Sequence, residues 1–481
     1  MTFDRRDRHG FFIDGALREP TGSERVEVIH PGNEEAVGSI PKATPDDMAA
    51  AVAAARRAFD EGPWPHTAPA ERAEMLSAIA DGLEKRLEEL AWLSTAQNGM
   101  PITLARQSQG IEILRYYADI ARDVVWEERR QGLAGTGLVR RTPVGVAGLI
   151  IPWNAPSLLM NKLPSALLAG CTVVVKPSPE TPLDTYVLAE VLDDVGMPPG
   201  VVNIVAADAE VGQCLVDDPR VDKISFTGST AAGRKIMAGL AERIGRVSLE
   251  LGGKSASVLL DDAPLEAALP ATMAGACLNN GQACIALSRV LAPRSRYDEV
   301  VETLGAMVGS LPVGDPFDES TFVGPLLNAR QRDRALGYIE LGKAEGARVV
   351  TGGGPVPGRD RGFWVQPTVL ADVSNDMRVA QEEIFAAVIS VIPYDGGDDA
   401  AVAMANDSQY GLSGAVWSAD PERALDVARR IRTGTVTVNG FTYDVGLPFG
   451  GFKQSGIGRE WGLEGLEAYI EYQTINLPDG L

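Results

Sequence analysis

The sequence predicts an α/β protein with two sheets of mainly parallel strands, covered by helices, and a small projecting β element. Short β-rich runs alternate with helix-length segments from about residue 145 to residue 440, which is typical of parallel sheets covered on both faces. The 481 residues exceed what one small core can hold, so two or three domains are expected. Apolar residues make up 45% and charged residues 23%, which favours a folded globular protein over disorder.

Three helices are predicted before the first strand series. Residues 44–60 begin with Thr44 as a capping residue and Pro45 in the first turn, both typical of a helix start. Residues 69–96 and about 101–123 are predicted to form two more amphipathic helices. In the first of these, apolar residues recur at helical spacing: Met75, Ile79, Leu83, Leu87 and Leu90.

The strand candidates fall into two series, one for each predicted sheet. The first series comprises residues 145–151, 172–176, 201–205, 223–228 and 247–253. The second series comprises residues 255–260, 289–293, 388–394, 413–418 and 435–439. Two further segments fit neither series: a hairpin strand at 138–144 and a tail strand at 470–477. Projecting or terminal strands often pair across subunits, so these two segments suggest an oligomer.

Charge and composition exclude several classes of partner. The net charge of −21 argues against binding to nucleic acid or to an anionic membrane, because both would repel the protein. The first residues contain no apolar segment typical of a signal peptide, and no run of about 18 apolar residues occurs. We therefore expect a cytoplasmic protein without a membrane partner.

The cysteines and histidines are too few and too scattered for a disulfide scaffold or a familiar metal site. They are Cys171, Cys214, Cys277, Cys284, His9, His30 and His66. No Cys-x-x-Cys pair occurs, so no metal is predicted.

Cys284 is the candidate nucleophile. The polar residues 279–282, including Gly281, interrupt an apolar helical run just before it. This pattern predicts a loop-to-helix junction, where backbone N–H groups and the helix dipole favour a thiolate and can bind an oxyanion. The alternative is a small buried apolar residue, which is the preferred interpretation for the other three cysteines.

Glu250 is the candidate base. No histidine lies within 200 residues of Cys284, so a carboxylate is the better candidate. In the run VSLELGG, Glu250 alternates with Val247, Leu249 and Leu251 and therefore lies on the opposite strand face. The end of a parallel strand is where α/β proteins place their sites. The alternative is an exposed acid at a strand end.

The segment FTGSTAAGR (226–234) follows a strand candidate and opens a helix, with Ser229 or Thr230 as the cap. A helix N-terminus of this kind can hold a pyrophosphate. The spacing is neither Gly-x-Gly-x-x-Gly nor a P-loop, so a tight turn remains the alternative.

Seven segments in this order resemble the aldehyde dehydrogenase superfamily over roughly residues 10–478. They are PWN (152–154), KPSPETP (176–182), FTGSTAAGR (226–234), LELGGKS (249–255), NNGQAC (279–284), QEEIF (381–385) and PFGGFKQSGIGRE (448–460). The resemblance implies a nucleotide-binding domain (1–123 and 145–253), a catalytic domain (254–465) and an oligomerisation element (124–144 and 466–481). It also implies a homodimer or a homotetramer.

The resemblance implies oxidation of an aldehyde to a carboxylic acid through a thioester on Cys284. Asn154 and the Cys284 backbone N–H would hold the oxyanion, and Glu250 would activate the hydrolytic water. Lys162 and Glu471 match two positions proposed to relay the proton outward. For Lys162 the alternative is a plain surface lysine.

The implied cofactor is NAD, with NADP as a possible substitute. Lys176 matches the lysine that bonds the adenosine ribose, and Ser229 the pyrophosphate contact. Glu383 and Phe385 match the pair at the nicotinamide ribose and ring. The full cofactor-binding set is Ile151, Pro152, Trp153, Lys176, Ser178, Gly212, Ser229, Leu251, Glu383 and Phe385.

The sequence departs from the family pattern at the cofactor and at the substrate. Pro179 stands where a carboxylate often reads the ribose 2′-hydroxyl, with Glu180 one place later, which weakens strict NAD preference. Ala155, Ser157 and Asn161 replace bulkier residues, which favours a medium-sized apolar or aromatic aldehyde. Alternatives are a semialdehyde, a CoA-acylating reaction that Glu250 disfavours, and a non-catalytic binding protein.

Overall fold

The structure is a computed structural model, and it describes residues 5–478. The ends of two predicted regions, residues 1–4 and 479–481, lie outside the described residues.

The described strands, in chain order, are β1 (Phe11–Ile13), β2 (Ala16–Arg18), β3 (Arg25–Ile29), β4 (Ala36–Pro41), β5 (Glu127–Gln131), β6 (Thr136–Pro143), β7 (Val146–Ile150), β8 (Thr172–Lys176), β9 (Val202–Ile204), β10 (Lys223–Thr227), β11 (Arg246–Glu250), β12 (Ala256–Leu259), β13 (Arg289–Pro293), β14 (Arg348–Thr351), β15 (Thr368–Ala371), β16 (Val388–Tyr394), β17 (Gly414–Trp417), β18 (Thr437–Val438), β19 (Gly456–Ile457) and β20 (Ile470–Asn476).

The α-helices are α1 (Pro45–Asp60), α2 (Pro69–Glu84), α3 (Leu87–Asn98), α4 (Ile102–Gln107), α5 (Ile111–Ile120), α6 (Leu163–Ala169), α7 (Leu183–Asp194), α8 (Ala209–Asp217), α9 (Thr230–Ala241), α10 (Leu265–Cys277), α11 (Tyr297–Gly309), α12 (Ala329–Glu345), α13 (Arg378–Gln381), α14 (Gly397–Asn406), α15 (Pro421–Arg430) and α16 (Gly462–Glu467). Short 3₁₀ turns occupy Trp64–His66, Pro156–Asn161, Leu278–Gly281, Arg294–Arg296 and Lys453–Ser455.

The first sheet has the strand order β19-β11-β10-β7-β8-β9-β1-β2. Strands β11 to β9 run parallel, while β19, β1 and β2 are antiparallel additions at the two edges. The register pairs Thr227 with Glu250 and Ile150 with Lys176. The carboxyl ends of four strands therefore meet at one edge, where α/β proteins bind ligands.

The second sheet has the order β14-β15-β16-β13-β12-β17-β18, and all of its strands except β14 are parallel. The inner strands of both sheets are buried along their whole length, as expected for sheets covered on both faces. The predicted α/β fold class with two parallel-containing sheets is confirmed.

A third sheet is antiparallel and has the order β20-β6-β5. It contains the predicted strands 138–144 and 470–477, which were assigned to neither of the two main sheets. Both predicted strands are confirmed, and β20 pairs with β6 within the chain over seven residue pairs. Strands β5 and β20 are left as the edges of this sheet. Pairing across subunits stays a prediction.

Helix α1 is confirmed, and Thr44 forms a capping box with Asp47. The other two helical predictions are wrong in extent, because each region contains two helices. Arg86 has non-helical φ/ψ of −107° and 12° between α2 and α3. Gly110 has a φ of +71° and separates α4 from α5. Helical periodicity persists across the first break, because α2 and α3 bury apolar residues in one core, whereas α4 and α5 bury theirs in two different clusters.

The predicted domain boundaries stay a prediction. One feature bears on them: β19 belongs to the stretch predicted as catalytic, yet it pairs with β11 of the first sheet. Across residues 5–478, no helix combines the length and the apolar character needed to cross a membrane.

Candidate active site

The site lies where the two sheets are joined. Strand β11 ends at Glu250 and leads through Gly252 and Gly253 into β12 of the second sheet. A Cβ atom on Gly253 would collide with the carbonyl oxygen of Cys284. This close backbone approach requires glycine, and it brings the Cys284 segment against the end of β11.

The segment before Cys284 is held in an unusual backbone conformation. After α10 ends at Cys277, Asn279, Asn280 and Gly281 all have positive φ, of 50°, 61° and 75°. The Asn280 side chain fixes this turn by donating to the Gly99 and Pro325 carbonyls at 2.9 and 3.0 Å. The polar run that marked the site in the sequence is therefore a turn with left-handed backbone.

The predicted loop-to-helix junction at Cys284 is wrong. Within the described chain Cys284 lies in a turn, and residues 285–288 lead directly to β13 without space for a helix. The thiol is half-buried, and burial raises its pKa to about 12, with a further contribution from the carboxylates of Glu383 and Glu250. A helix dipole therefore does not stabilise a thiolate here.

Asn154 follows β7 and reaches the turn that carries Cys284. Its buried Nδ2 donates to the carbonyl oxygen of Gln282 at 3.0 Å. The Asn279 side chain donates to the carbonyl oxygen of Asn154 at 2.7 Å. These two bonds fasten Asn154 beside the nucleophile candidate.

Glu250 is buried, with 4% of its surface exposed, so the alternative of an exposed strand-end acid is wrong. Val247, Leu249 and Leu251 pack on the other face in one apolar cluster, as the alternation predicted. The Oε2 atom of Glu250 has no hydrogen-bond partner within residues 5–478. Burial, and then the neighbouring Glu460, raise the pKa of Glu250 well above its usual value.

Lys162 is fully buried, so the surface-lysine alternative is also wrong. Its ammonium group pairs with Glu460 and donates to Ser225 Oγ at 3.2 Å. Glu460 is the last residue of the segment PFGGFKQSGIGRE, so the sequence offered a signal for it that our residue assignment missed.

The structure does not bring Glu471 to Lys162, because Lys162 pairs with Glu460 and Glu471 pairs with Arg246; the proton relay itself stays a prediction. Glu471 lies on β20 opposite Thr142, where it is half-exposed. Its carboxylate pairs with Arg246 at the amino end of β11. Glu250 is at the carboxyl end of the same strand, so Glu471 lies at the wrong end of the sheet.

Lys176 ends β8 and is buried, with its ammonium group donating to the Ala207 carbonyl. Burial lowers the pKa of Lys176 to about 8. A Cβ atom on Gly212 of α8 would lie 3.0 Å from the Lys176 side chain. Ser178 donates to Glu180, whose carboxylate lies 4.0 Å from Arg330.

The N-terminus of α9 opens at the same sheet edge. Ser229 is exposed and caps the helix by accepting from the Ala232 N–H at 3.2 Å. The next hydroxyl, Thr230 Oγ1, is buried. Leu251 packs against Gly233 of this helix.

Trp153 and Phe385 form the wall between α9 and the Cys284 turn. Their rings meet edge to face, with centroids 5.4 Å apart. Glu383 accepts from the Gly253 N–H at 2.9 Å, and burial raises the pKa of its carboxyl group. The backbone N–H of Ile151 donates to Lys176 O at 3.0 Å, which fixes the path of Pro152 and Trp153.

An aromatic cluster that the sequence reasoning missed lies beside the Cys284 turn. Tyr443 contacts Phe441, Phe449 and Trp461, with ring centroids 5.4, 5.9 and 6.3 Å away. Burial, and the negative charge that Cys284 would carry, raise the pKa of Tyr443, so the two groups are close. The four aromatic residues are spread over 21 positions without periodicity, which left no signal for the cluster.

Within residues 5–478, no group of three or more histidine, cysteine or acidic side chains is arranged to hold a metal ion.

Comparison with known proteins identifies the family. The aldehyde dehydrogenase family model matches residues 18–475. Geranial dehydrogenase from Castellaniella defragrans is 49% identical over 476 residues, which is 98% of this chain and 99% of that protein. The 3-succinoylsemialdehyde-pyridine dehydrogenase of a Pseudomonas species is 43% identical, covering 98% of each chain.

Solved structures show the same fold over the whole chain. The aldehyde dehydrogenase of Mycobacterium tuberculosis complexed with NAD+ has a TM-score of 0.98 at 46% identity, covering 99% of this chain and 100% of that one. A mutant of aldehyde dehydrogenase C from Pseudomonas syringae, complexed with NAD+ and octanal, has a TM-score of 0.95 at 39% identity, covering 98% of each. This chain therefore belongs to the aldehyde dehydrogenase family, whose members are oxidoreductases acting on aldehydes.

Proposed function

We propose that this protein oxidises an aldehyde to the carboxylic acid with NAD+, through a thioester on Cys284. The observation that carries the proposal is the convergence of Cys284, Asn154 and Glu250. These residues come from three distant parts of the chain and meet where the two sheets are joined. Such a group supplies a nucleophile, an oxyanion donor and a base.

The residues at the sheet edge fit a dinucleotide. The Thr230 hydroxyl and the N–H groups at the start of α9 offer donors for a pyrophosphate. Lys176 offers a donor for a ribose, and Glu383 an acceptor for a second one. Bound NAD+ supplies the acceptor for the hydride that leaves the aldehyde carbon.

In the first half of the reaction, the Cys284 sulfur adds to the aldehyde carbon. One amide hydrogen of Asn154 is used by the Gln282 carbonyl, which leaves the second for the oxyanion, together with the Cys284 backbone N–H. Because burial raises the pKa of Cys284, the thiol needs a base to lose its proton. Glu250 is the acid next to it that can take this proton.

Before the second half, Glu250 passes the proton that it took from Cys284 to the neighbouring buried pair of Glu460 and Lys162. In the second half, Glu250 removes a proton from water, which attacks the thioester carbon. The carbon–sulfur bond breaks, the carboxylate leaves and the thiol is restored. The proton on Glu250 passes to the buried pair of Glu460 and Lys162, which are the ionisable groups nearest to it.

We propose a medium-sized apolar or aromatic aldehyde as substrate. The aromatic cluster of Phe441, Tyr443, Phe449 and Trp461 supports this, because it offers apolar contact area beside Cys284. The names of two relatives, a geranial dehydrogenase and a structure with octanal, point to the same class. A semialdehyde with an aromatic end is the second candidate, which the 3-succinoylsemialdehyde-pyridine dehydrogenase favours.

The test is NADH absorbance of the purified protein with octanal, geranial, benzaldehyde, acetaldehyde and succinic semialdehyde, each with and without CoA. We expect turnover without CoA, highest for the first three. With NADP, kcat/KM should be lower by only about 10–100-fold, because Pro179 cannot repel a 2′-phosphate.

Cys284→Ala should abolish turnover and retain NAD binding. Normal turnover of that variant, or a strict need for CoA, would contradict the proposal.

A further inference from the structure

A small cavity lies beside Lys254 and Ser255, which directly follow the glycines that join the two sheets. It is bounded by residues 254–256, by Arg289 and by the loop 410–414. Its volume is about 10 Å³, which is space for one water-sized particle.

Two cations line this cavity, and both are almost fully buried. Lys254 and Arg289 are each 2% exposed. The Arg289 guanidinium donates to the carbonyls of Lys254, Met404 and Ala405 and to the side-chain oxygen of Asn375, at 2.9 to 3.3 Å. Each of these acceptors is a neutral oxygen.

Two hydrogen-bond donors on the cavity wall are unsatisfied. Neither the Lys254 ammonium group nor the Ser255 hydroxyl, which is 3% exposed, has a partner among the described residues. Buried polar groups are normally paired, and a buried charge without a partner is strongly unfavourable. The Lys254 ammonium group and the Ser255 hydroxyl therefore need a hydrogen-bond acceptor inside the cavity.

The two buried cations Lys254 and Arg289 line this cavity in a chain of net charge −21. Burial lowers the pKa of Lys254 to about 7, and the positive charges of Arg289 and Arg334 add to this effect. The carboxylates of Glu383 and Glu382 act on Lys254 only through space, as Asp407 does on Arg289. An anion in the cavity would stabilise both cations.

We propose that this cavity is a binding site for a monatomic anion, chloride in solution, held by the Lys254 ammonium group and the Ser255 hydroxyl. Space for about one water-sized particle favours a monatomic anion over phosphate, sulfate and carboxylates, which have several heavy atoms. Lys254 directly follows Gly253, whose N–H holds Glu383 and whose Cα lies against the Cys284 carbonyl. The anion therefore stabilises the segment against which both of those residues rest.

The direct test is diffraction from wild-type crystals soaked in sodium bromide, recorded at the bromine absorption edge. We expect an anomalous peak within about 3.5 Å of Lys254 Nζ and Ser255 Oγ. A site that holds only water-like density, without an anomalous peak, would overturn the proposal. This measurement needs no variant and no enzymatic activity.

The solution test compares thermal unfolding in sodium chloride and in sodium gluconate at equal ionic strength. Chloride at ten times its Kd should raise the Tm of the wild-type protein by about 1–2 °C above gluconate. Lys254→Met should lose this difference. Lys343→Met should retain it, because Lys343 is a partly exposed lysine paired with Glu340 on α12. A chloride effect that is equal in all three proteins would refute the site.

Discussion

At the scale of the residue, the sign of a charge and its surroundings decide what a side chain can do. Glu250 and Cys284 were both identified from sequence, but their protonation depends on neighbours that are distant in the chain. Burial raises the pKa of Cys284 to about 12 and raises the pKa of Glu250 well above its usual value, so each group holds its proton more tightly than it would in water. The two groups therefore depend on each other for proton transfer, and substitutions of Glu250 and its neighbours should reveal this.

We expect Glu250→Gln to slow both phases of the reaction. Mixing enzyme, NAD+ and aldehyde should still give about one NADH per site, but more slowly than in the wild type, because Cys284 lacks a base. The steady rate should fall by roughly 10²–10⁴, the usual effect of removing a general base. Stopped-flow absorbance separates the phases. A burst as fast as that of the wild type would show that Cys284 ionises without Glu250.

The pH profile should distinguish Glu460 from Glu471. Glu250 acts as the unprotonated base, so thioester hydrolysis should rise with pH through its raised pKa. Glu460→Gln removes a negative neighbour and leaves Lys162, which lowers the pKa of Glu250. The rising limb should then move to lower pH by about one unit. Glu471→Gln should leave the profile unchanged, since Glu471 pairs with Arg246. A shift in the Glu471 variant alone would show that Glu471 rather than Glu460 acts on Glu250.

At the scale of the element, the turn before Cys284 depends on backbone that only a few residues tolerate. Gly281 has a φ of +75° and lies against the backbone of Ala386 and Ala387. The residues around it are held by Asn280, whose amide reaches two other loops. The position of the nucleophile is therefore fixed by a turn and by loop contacts rather than by a helix.

We expect Gly281→Ala to lower the Tm and to reduce turnover by at least about tenfold, because the new Cβ forces the turn to move. The matched control is Gly337→Ala in α12, where a Cβ would meet no atom within 4 Å. That change should preserve activity and stabilise the helix by about 0.5–1 kcal/mol. Thermal unfolding and NADH formation measure both variants. Equal behaviour of the two would show that the Gly281 turn is free to adapt.

At the scale of the whole molecule, the third sheet is the feature that points to assembly. Its edge strands β5 and β20 are paired on one side only. Exposed apolar side chains on or near it include Val125, Leu133, Tyr472 and Ile475. Unprotected sheet edges with apolar side chains are typical of interfaces between subunits.

We expect light scattering to give twice or four times the mass of the chain. Ile475→Glu should shift the population towards smaller species, because a charge would be buried in the interface. Leu17→Glu is the control, since Leu17 is an exposed apolar residue on β2, at the edge of the first sheet. A monomeric wild-type protein, or dissociation by the control alone, would exclude an interface at β20.

The sequence by itself predicted the α/β class and twelve of the twenty described strands in their chain order, and it pointed to Cys284, Glu250 and Asn154 as the residues to examine. These follow from periodicity and from short motifs, which are local properties of the chain. Only the tertiary structure decided that Glu460 rather than Glu471 meets Lys162, that no helix follows Cys284, and that four aromatic residues cluster beside it. Contacts between residues far apart in the chain, and the burial that shifts a pKa, depend on how the elements pack, and local pattern carries no record of that packing.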